Sequence, residues 1–450
     1  MLTNLNRFSF GRRAATAMLM GAAAALVLPS MGIAQDQVTL QAIFLPATWG
    51  VVVRDVLAPQ YEKETGVKVD VQLVGRDAIH EKMATLFAAQ DPSFDIFNLD
   101  YSWIPEFGAG GHLLPLDSLL SEDDKADFFK TALDVGSWNG TVYGLPQTIH
   151  PHVLWYRADL YSDPDVKAAY KAKTGSDLAP PATMNEWLQQ VEFFNGTQFE
   201  GQTIYGWAAQ AAKGFGNVHT WLSFLYGYGG SAFNADFSTS TLSTPEAIAA
   251  TKQWAEMMKY MPPGSSAFTY DDVTTSAQQG TVATALQWSW GAFAVDDPAS
   301  SKTVGDWQFV EVPAVEAGGQ SHPHLASWVI SVSKYSKHPD EAKKFTAWLE
   351  TKANDVVQAS LGGGDPVRSS SYSNPTLTEA KLEGSDALRF RRYDVVLKAM
   401  QNTKPRPFFP GEEAWETVVS GPLQAIQLGE KSVEDGLAEA DAAVDRLLSR

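Results

Sequence analysis

The chain has 450 residues, a formal net charge of −18, and 44% hydrophobic against 19% charged residues. This length exceeds what one small hydrophobic core accommodates, so two domains or lobes are expected. The acidic balance, with no basic cluster after the first residues, argues against nucleic acid and against anionic membrane surfaces as partners. No cysteine is present, so an exported form of the chain would rely on its core and not on disulfides.

Residues 1–34 have the pattern of a secretory signal peptide. Three arginines precede the apolar run AATAMLMGAAAALVL, and the small-residue pattern Gly32-Ile33-Ala34 indicates cleavage after Ala34. The run is too short and alanine-rich for a membrane anchor. Because there is no cysteine to lipidate, the sequence predicts a free protein of the bacterial periplasm. Export by the general or by the twin-arginine route is left open.

The next segments alternate between strand and helix patterns. Val38–Phe44 is extended and apolar, and Val51–Thr65 has helical spacing that stops at Gly66. A strand then ends at Leu73, a helical pattern follows, and Phe94–Leu99 is again a strand. This succession is typical of a parallel sheet with helices on its faces.

Ligands of such sheets lie beyond the carboxyl ends of the strands. Two segments are expected there, Ala47–Gly50 and Asp100–Trp103. The rest of the chain shows a predicted hairpin at 138–146, strands at 151–156, 307–312 and 325–332, helices at 165–173, 184–194 and 245–260, a Gly/aromatic patch at 214–230, a turn-rich break at 362–368 and a final helix capped by Ser432.

The stretch ALQWSWG, Ala285–Gly291, places two tryptophans two residues apart near the end of a predicted strand, Thr281–Trp290. Successive side chains of a strand alternate between its faces. Trp288 and Trp290 are therefore expected to point the same way, either into the core or toward a ligand.

Signatures of enzymes are missing from the sequence. There is no Gly-x-Ser-x-Gly motif, no phosphate-binding loop, no His-Glu-x-x-His and no cysteine nucleophile. Two His-Pro-His triplets, at 150–152 and 322–324, could place two imidazoles on one face, but no acidic or cysteine companion stands at a ligand spacing. We expect no catalysis, no metal and no cofactor, and we expect these histidines to form hydrogen bonds or to lie at the surface.

Several segments together resemble one protein family. They are EKETGVKVDVQ, FDIFNLD followed by GHLLPLD, WNGTVYGLPQTIHPHVLWYRADLY, QQGTVATALQWSWG, HLASWVISVSKYSKHPDEAKKFTAWL and GGGDPVRSS. In order and spacing they resemble the extracellular solute-binding proteins of ABC importers, specifically the sugar-binding group of the maltose-binding class. The resemblance spans nearly the whole chain after the signal.

The resemblance implies a two-lobed α/β fold of the periplasmic-binding-protein type. Each lobe would be a mixed sheet flanked by helices, with the ligand in the cleft between the lobes. The N-terminal lobe would comprise residues 35–148 and 312–360, and the C-terminal lobe residues 149–311 and 361–450. Closure of the lobes around the ligand would present the form that the permease subunits recognise.

The resemblance also implies which residues meet a ligand. A sugar packs its C–H faces on aromatic rings and requires donors and acceptors for its hydroxyls. Aromatic platforms are expected among Trp49, Tyr101, Trp103, Phe215, Trp288, Trp290 and Trp328, and polar contacts among Asp100, Gln147, His150, Asn217, Asp365 and Arg368.

Alternative roles stay open for several of these residues. Either tryptophan of ALQWSWG could be core, and of the two Trp290 is expected to be the more structural. Trp49 and Trp103 could pack within a lobe, and Phe215 and Asn217 could belong to loop structure. Asp365 and Arg368 could form a salt bridge at the hinge.

Together, these features predict a monomeric periplasmic subunit of an ABC importer that binds a monosaccharide, sugar alcohol or small glycoside. Two alternatives remain. The same fold could bind a charged or phosphorylated solute through Arg368, or the chain could be an exported glycoside hydrolase.

Overall fold

One mixed β-sheet organises the chain, seen here in a computed structural model that describes residues 37–378, 388 and 390–449. The predicted signal peptide, residues 1–34, lies outside the described residues. The strands are β1 Thr39–Phe44, β2 Lys68–Leu73, β3 Ile96–Asp100, β4 Ser137–Trp138, β5 Thr141–Val142, β6 Leu145–Arg157, β7 Thr197–Phe199, β8 Gln202–Ala209, β9 Val282–Trp288, β10 Trp307–Val310, β11 His324–Val332 and β12 Lys404–Pro405.

Helices cover the sheet and connect its strands. The α-helices are Thr48–Val52, Ala58–Thr65, Arg76–Ala88, Ile104–Ala109, Glu122–Asp127, Lys130–Val135, Ala158–Ser162, Pro164–Thr174, Met184–Phe194, Phe215–Gly227, Pro245–Met258, Tyr270–Gln278, Ala292–Val295, Pro339–Leu349, Lys352–Ser360, Pro375–Thr378, Tyr393–Ala399, Glu412–Gln427 and Val433–Leu448. A π-helical segment, Val53–Leu57, joins the first two of these helices.

The strand order is β2-β1-β3-β11-β6-β9-β8-β7, with β10 beside β6 and β12 beside β11. In the first half of the sheet, β1 lies parallel to both β2 and β3, as the alternation of strand and helix patterns predicts. At the edge, β2 buries Val69 and Val71 and turns Lys68 and Asp70 outward. Such charged side chains disfavour pairing with further strands.

β6 belongs to both halves of the sheet. Its residues 145–151 pair with β11, and its residues 152–156 pair with β9. The antiparallel pairing of β11 with β3 completes the first half. Residues near the middle of β6, including His150, therefore lie where the two halves meet.

The hydrophobic core follows the same division. Leu40, Phe44 and Ile330 pack together in the first half, and Trp187, Trp207, Trp221 and Trp254 pack in the second. All of these side chains are fully buried. Within the part of the chain that the structure describes, no helix combines the length and the apolar character needed to cross a membrane.

Most predicted elements are confirmed, within a few residues at their ends. The predicted hairpin forms β4 and β5, and Asn139 and Gly140 of its turn have φ values of 49° and 80°. The last helix is capped by Ser432, whose side chain accepts from the Asp435 amide.

One alternative and one expectation about local structure were wrong. The Gly/aromatic patch does not form the loop considered as an alternative for Phe215 and Asn217; its centre forms the buried helix Phe215–Gly227. Strand β9 ends at Trp288, and Ser289–Gly291 forms a 3-10 turn, so Trp290 does not continue the strand. The alternation rule therefore does not apply to the tryptophan pair.

Candidate functional site

A cavity of about 400 Å³ opens where the ends of several strands and helices meet. The residues that line it are Leu45, Pro46, Ala47, Trp49, Arg76, His150, Gln210, Phe215, Tyr270, Asp271, Trp288, Trp290, Ala326 and Trp328. The helix Thr48–Val52, which follows β1, contributes Trp49, and the end of β9 contributes Trp288. The rule that ligands sit beyond the carboxyl ends of strands thus leads to this cavity.

Trp288 and Trp290 line the same cavity from different positions. Trp288, the last residue of β9, is 4% exposed and lies on the ring of His152 with 3.8 Å between centroids. Trp290 is half-buried in the 3-10 turn and stacks on Tyr270 at 4.8 Å with an 11° angle between the rings. Trp290 is therefore the more accessible of the two, contrary to the expectation that it is the more structural.

Trp49 joins the two sides of the cavity. Its ring meets that of Trp290 edge-on at 5.3 Å and lies 6.1 Å from that of Trp328. Its indole Nε1 donates to Asn98 Oδ1 over 3.2 Å. Because this buried bond fixes the indole, the aromatic wall is held in place without a ligand.

His150 lies under the aromatic wall. The imidazole is 1% exposed, and its ring centroid is 5.2 Å from that of Trp49. Its Nε2 is bonded to the Thr148 hydroxyl at 3.1 Å, and its Nδ1 lies 3.8 Å from Asp365 Oδ2. Burial lowers the pKa of His150, and the Asp365 carboxylate partly opposes this shift.

Asp365 lies beneath the cavity and does not line it. Its carboxylate forms a fully buried ion pair with Arg392, with 2.6 Å between Oδ1 and Nη2, and accepts a hydrogen bond from the Ser289 hydroxyl. Burial alone would raise the pKa of Asp365, but the Arg392 charge together with His150 and the Ser289 hydroxyl outweighs burial and lowers this pKa. Gly364, at φ 113°, brings this segment so close to β6 that an added Cβ would stand 2.0 Å from Thr148 Oγ1.

Arg368 is not brought to the cavity either. The guanidinium is buried, donates to the Glu350 backbone carbonyl and lies 3.9 Å over the ring of Phe128. It also pairs with Asp124 at 3.0 Å. These partners explain the position of Arg368. Of the two roles considered from the sequence, a salt bridge fits this residue better than a ligand contact, although the partner is Asp124 and not Asp365.

Asp100, Tyr101 and Trp103 form a layer behind the cavity. Asp100 is buried between Arg406 and Arg76, whose charges overcome the effect of burial and lower the pKa of Asp100 to about 2. The Tyr101 hydroxyl accepts from the Arg406 amide over 2.8 Å and donates to a backbone carbonyl. Trp103 is 1% exposed. These three residues were predicted to contact a ligand, but none of them is among the described residues that line the cavity.

Gln147 and Asn217 are also held by protein partners. Gln147 accepts from Asn98 Nδ2 at 2.9 Å and donates to Gln358 at 3.1 Å. Asn217 donates to the Ser420 carbonyl over 2.9 Å. Of the predicted site residues, the cavity is lined by Trp49, His150, Phe215, Trp288, Trp290 and Trp328.

Arg76, Gln210, Tyr270 and Asp271 line the cavity but were not singled out from the sequence. Arg76 and Tyr270 each begin a helix, and Gln210 follows β8 directly. Gln210 could have been predicted as a site residue from its position directly after a strand. It was missed because the sequence was not expected to form a strand at 202–209. A helix start is a weaker signal, because many polar residues begin helices at the surface.

The charge of Arg76 is shared with two carboxylates. Its Nη2 lies 3.3 Å from Asp100 Oδ2 and 3.4 Å from Glu413 Oε1. The guanidinium also lies 4.4 Å over the ring of Phe215. The cavity is therefore lined by a guanidinium group that is held in a fixed orientation and can donate hydrogen bonds. Its positive charge is already balanced by the carboxylates of Asp100 and Glu413.

Three buried histidines lie behind Trp288. Burial lowers the pKa of His152 to about 3, and it also lowers the pKa of His219 and His324 well below the usual value, helped by neighbouring positive groups. His152 is bonded to the Ser223 hydroxyl at 2.8 Å, and His324 Nε2 to His219 Nδ1 at 3.0 Å. No grouping of three potential metal ligands is found among the described residues.

The chain is similar to known proteins in both sequence and structure. The family model for bacterial extracellular solute-binding proteins matches residues 35–356. A probable amino-acid ABC transporter periplasmic-binding protein of Sinorhizobium fredii is 26% identical over 70% of this chain and 70% of its own length. A mannitol-binding protein of Pseudomonas aeruginosa is 24% identical over 83% of this chain and 85% of its own length.

Among solved structures, a solute-binding protein of an Agrobacterium radiobacter ABC transporter, in complex with ribitol, superposes with a TM-score of 0.76 at 22% identity. The match covers 91% of this chain and 98% of the other. The two-lobed α/β fold expected from the sequence is thereby confirmed. Because the family model covers most of the chain, the protein is a member of the bacterial extracellular solute-binding protein family.

Proposed function

We propose that this chain is the periplasmic solute-binding subunit of an ABC importer and that its ligand is a neutral carbohydrate, a sugar or a polyol. The observation that carries the proposal is the lining of the cavity. Large aromatic rings, among them Trp49, Trp288, Trp290 and Trp328, surround a space that His150 and other hydrogen-bonding groups also reach.

This lining matches the two kinds of surface that a carbohydrate presents. Burying one C–H face against an aromatic ring is worth about 1–2 kcal/mol. A hydrogen bond that a hydroxyl accepts from Arg76 or donates to Asp271 adds about 1.5–3 kcal/mol, because the partner is charged. The aromatic wall is already fixed by protein contacts, so little of this binding free energy is lost in ordering the site.

The relatives support the same ligand class. The Pseudomonas aeruginosa relative is named as mannitol-binding, and the Agrobacterium radiobacter structure contains ribitol. Both are open-chain polyols, whose hydroxyls and C–H groups make the same demands on a site. The Sinorhizobium fredii relative is named as an amino-acid binder, so amino acids belong in any ligand screen.

A charged or phosphorylated solute is the weaker alternative. It was expected to use Arg368, which is buried against Glu350 and Asp124 and does not line the cavity. Arg76 does line the cavity, but Asp100 and Glu413 already compensate its charge. An anion bound there would compete with two carboxylates.

A glycoside hydrolase is also disfavoured by the lining. Such enzymes generally use a pair of carboxylates on either side of the scissile bond. Asp271 is the one carboxylate among the described residues that line this cavity. We therefore propose a binding protein without catalytic activity, in agreement with the family.

We further propose the lobe boundaries 35–148 with 312–360 and 149–311 with 361–450, a monomeric state, removal of residues 1–34 on export, and no lipid anchor. The passage of β6 between the two halves of the sheet supports the first boundary. Closure of the lobes around the ligand would then create the surface that the permease recognises.

A thermal-shift screen tests the proposal. A ligand that binds only the folded state stabilises it by about 2.7 kcal/mol at one hundred times its Kd. We expect mannitol, ribitol, sorbitol, glucose or maltose to raise Tm with increasing concentration. A shift with glutamate or glucose 6-phosphate, and none with the neutral set, would contradict the proposal.

A further inference from the structure

Glu413 contacts Arg76 from outside the aromatic cavity. Arg76 lines this cavity and also an adjoining one of about 410 Å³, whereas Glu413 lines the adjoining cavity only. The Glu413 side chain is 32% exposed, and its Oε1 lies 3.4 Å from Arg76 Nη2. A ligand among the tryptophans can therefore contact the Arg76 guanidinium, and Glu413 affects such a ligand through Arg76.

Glu413 bridges two elements that are remote from it in the chain. It stands in the first turn of the helix Glu412–Gln427 and accepts a hydrogen bond from Trp103 Nε1 at 2.5 Å, in addition to its ion pair with Arg76. The Arg76 guanidinium also lies 4.4 Å over the Phe215 ring. In the lobe assignment proposed above, Glu413 belongs to the C-terminal lobe and both of its partners to the N-terminal lobe. The orientation of Arg76 thus depends on a carboxylate that the opposite lobe supplies.

The carboxylates around Arg76 outnumber the guanidinium groups. Asp100 pairs with both Arg76 and Arg406. Arg406 Nη1 also lies 3.5 Å from Glu416 Oε2. With Glu413, at least three carboxylates among the described residues face these two arginines before a ligand enters. An anionic ligand would add a further negative charge to this cluster, and like charges placed together disfavour binding.

Arg76 nevertheless keeps hydrogen-bond donors for a neutral ligand. A guanidinium carries five N–H groups, and the Nε of Arg76 is buried without a hydrogen-bond partner among the described residues. A hydroxyl can accept from such a group without bringing charge into the cluster. An anion gains most from a guanidinium that has no other carboxylate partner. The pairing with Glu413 therefore preserves the donors of Arg76 while reducing its attraction for anions.

We propose that Glu413 determines the preference of the aromatic cavity for neutral solutes: it supplies from within the protein the carboxylate that Arg76 would otherwise take from an anionic ligand. This inference rests on the proposed carbohydrate function and makes it narrower, because it assigns the exclusion of sugar acids and sugar phosphates to one residue. Glu413 is a positioning residue that acts through Arg76 and does not contact the ligand. Its effect on specificity comes from the cost that it imposes on the wrong ligand.

Calorimetric titration of the full-length exported protein at constant ionic strength tests this with matched ligands. In each pair a carboxylate replaces one CH₂OH group of the neutral ligand: sorbitol and gluconate, mannitol and mannonate, ribitol and ribonate, glucose and glucuronate. The measured quantity is the ratio of the Kd of the acid to that of its neutral partner. In Glu413→Gln we expect this ratio to fall at least about tenfold, the effect of one hydrogen bond to a charged group. Glutamine keeps an acceptor for Trp103 Nε1, so the substitution removes the charge and retains the shape.

Further variants separate the contact with Arg76 from other effects. Glu413→Asp keeps the charge and should retain most of the wild-type ratio. Glu413→Gln combined with Arg76→Gln leaves no guanidinium for an acid to reach, so the ratio should not fall below that of wild type. Glu430→Gln removes an equal charge at an exposed position outside both cavities and should leave the ratio unchanged. Glu413→Ala, at this half-exposed helix start, serves if Glu413→Gln does not fold, and should lower the ratio in the same direction.

The failures of the two proposals are distinguishable. If no neutral sugar or polyol binds to wild type, the proposed function itself is wrong and the inference about Glu413 falls with it. If neutral carbohydrates bind and the ratio in Glu413→Gln equals that of wild type, only the inference about Glu413 is overturned. It is also overturned if Glu430→Gln lowers the ratio equally, or if the fall persists when Arg76→Gln is added, since the effect would then not depend on the contact between Glu413 and Arg76.

Discussion

The rings of Tyr270 and Trp290 lie nearly parallel, 11° apart in plane and 4.8 Å between centroids. Tyr270 begins a helix and Trp290 lies in the 3-10 turn after β9, so the contact joins two separate segments at the rim of the cavity. The edge of Trp49 meets Trp290 from another side. Trp290 is thereby fixed in orientation while remaining partly exposed to the cavity, as a stacking platform requires.

Trp290→Ala is expected to weaken ligand affinity about fivefold to thirtyfold, because it removes a platform worth about 1–2 kcal/mol. Its effect on the free energy of unfolding should be smaller than that of Trp288→Ala, since Trp288 is buried on His152 and its loss creates a cavity costing about 3–5 kcal/mol. Calorimetry and urea unfolding measure both quantities. Wild-type affinity in Trp290→Ala would refute its assignment to the ligand site.

Asp365→Asn is expected to destabilise the fold by about 3–5 kcal/mol, because it leaves Arg392 charged and buried without its carboxylate partner. Affinity should fall as well, since the Asp365 carboxylate holds Ser289 between the two cavity tryptophans. Urea unfolding and calorimetry provide the readouts. The matched control is Asp55→Asn, which breaks an exposed pair with Arg54 and should leave the free energy of unfolding nearly unchanged, because solvent screens the pair. Equal effects of the two substitutions would show that the buried pair has no special role.

Arg368→Ala distinguishes a structural role of Arg368 from the ligand contact that was expected from the sequence. The guanidinium packs over Phe128 and bonds to the Glu350 carbonyl, so its removal should lower the midpoint of urea unfolding. Kd for the best carbohydrate ligand should stay within about twofold of wild type. A loss of affinity at unchanged stability would return Arg368 to the ligand site.

The buried histidines predict acid sensitivity. Burial lowers the pKa of His152 to about 3 from its usual value of 6.5, so below pH 6.5 the unfolded chain takes up a proton that the folded protein excludes. Stability is therefore lost as pH falls below about 6.5, by up to about 1.4 kcal/mol per pH unit for each such group. Ser223, Trp288 and His324 surround His152, and none of them is a carboxylate that would hold the proton.

His152→Gln isolates the contribution of His152 to the pH dependence of stability, because glutamine does not titrate. Between pH 7.5 and 5, wild type should lose about 2 kcal/mol more in the free energy of unfolding than the variant does. Burial raises the pKa of Glu412, which contributes with the opposite sign, but this contribution is common to both proteins and cancels in the difference. Parallel stability profiles for the two proteins would contradict the assignment of the acid sensitivity to His152.

Local patterns predicted most of the longer strands, because these alternate or are apolar throughout and are bounded by turns, but they missed β8 at Gln202–Ala209. They failed at the helix Phe215–Gly227, which is buried on nearly all sides and so shows no polar face to reveal a helical period. They failed again at Ser289, whose hydroxyl is bonded to Asp365, a residue remote in sequence. A turn fixed by a distant partner leaves no mark in the local pattern.

The candidate site was predicted in part for the same reason. Aromatic residues at or just after a strand end, such as Trp49 and Trp288, can be predicted as ligand contacts. Both their residue type and their position in the chain are typical of a sugar site. Asp365 and Arg368 lie in the turn-rich segment 362–368, as the sequence predicts. Their side chains are oriented by Arg392 and by the Glu350 carbonyl, which are remote in sequence or not marked by any local pattern. Arg76 was missed because nothing near it in sequence distinguishes an arginine that lines a cavity from one that begins a surface helix.

The central claim is that the aromatic cavity binds a neutral carbohydrate. The most direct test is calorimetric titration of protein that has been unfolded, dialysed free of ligand and refolded, with wild type and Trp290→Ala side by side. We predict saturable binding of at least one sugar, polyol or glycoside by wild type, weakened about fivefold or more by Trp290→Ala. Binding of amino acids or phosphorylated solutes alone, or carbohydrate binding that Trp290→Ala leaves unchanged, would contradict the account.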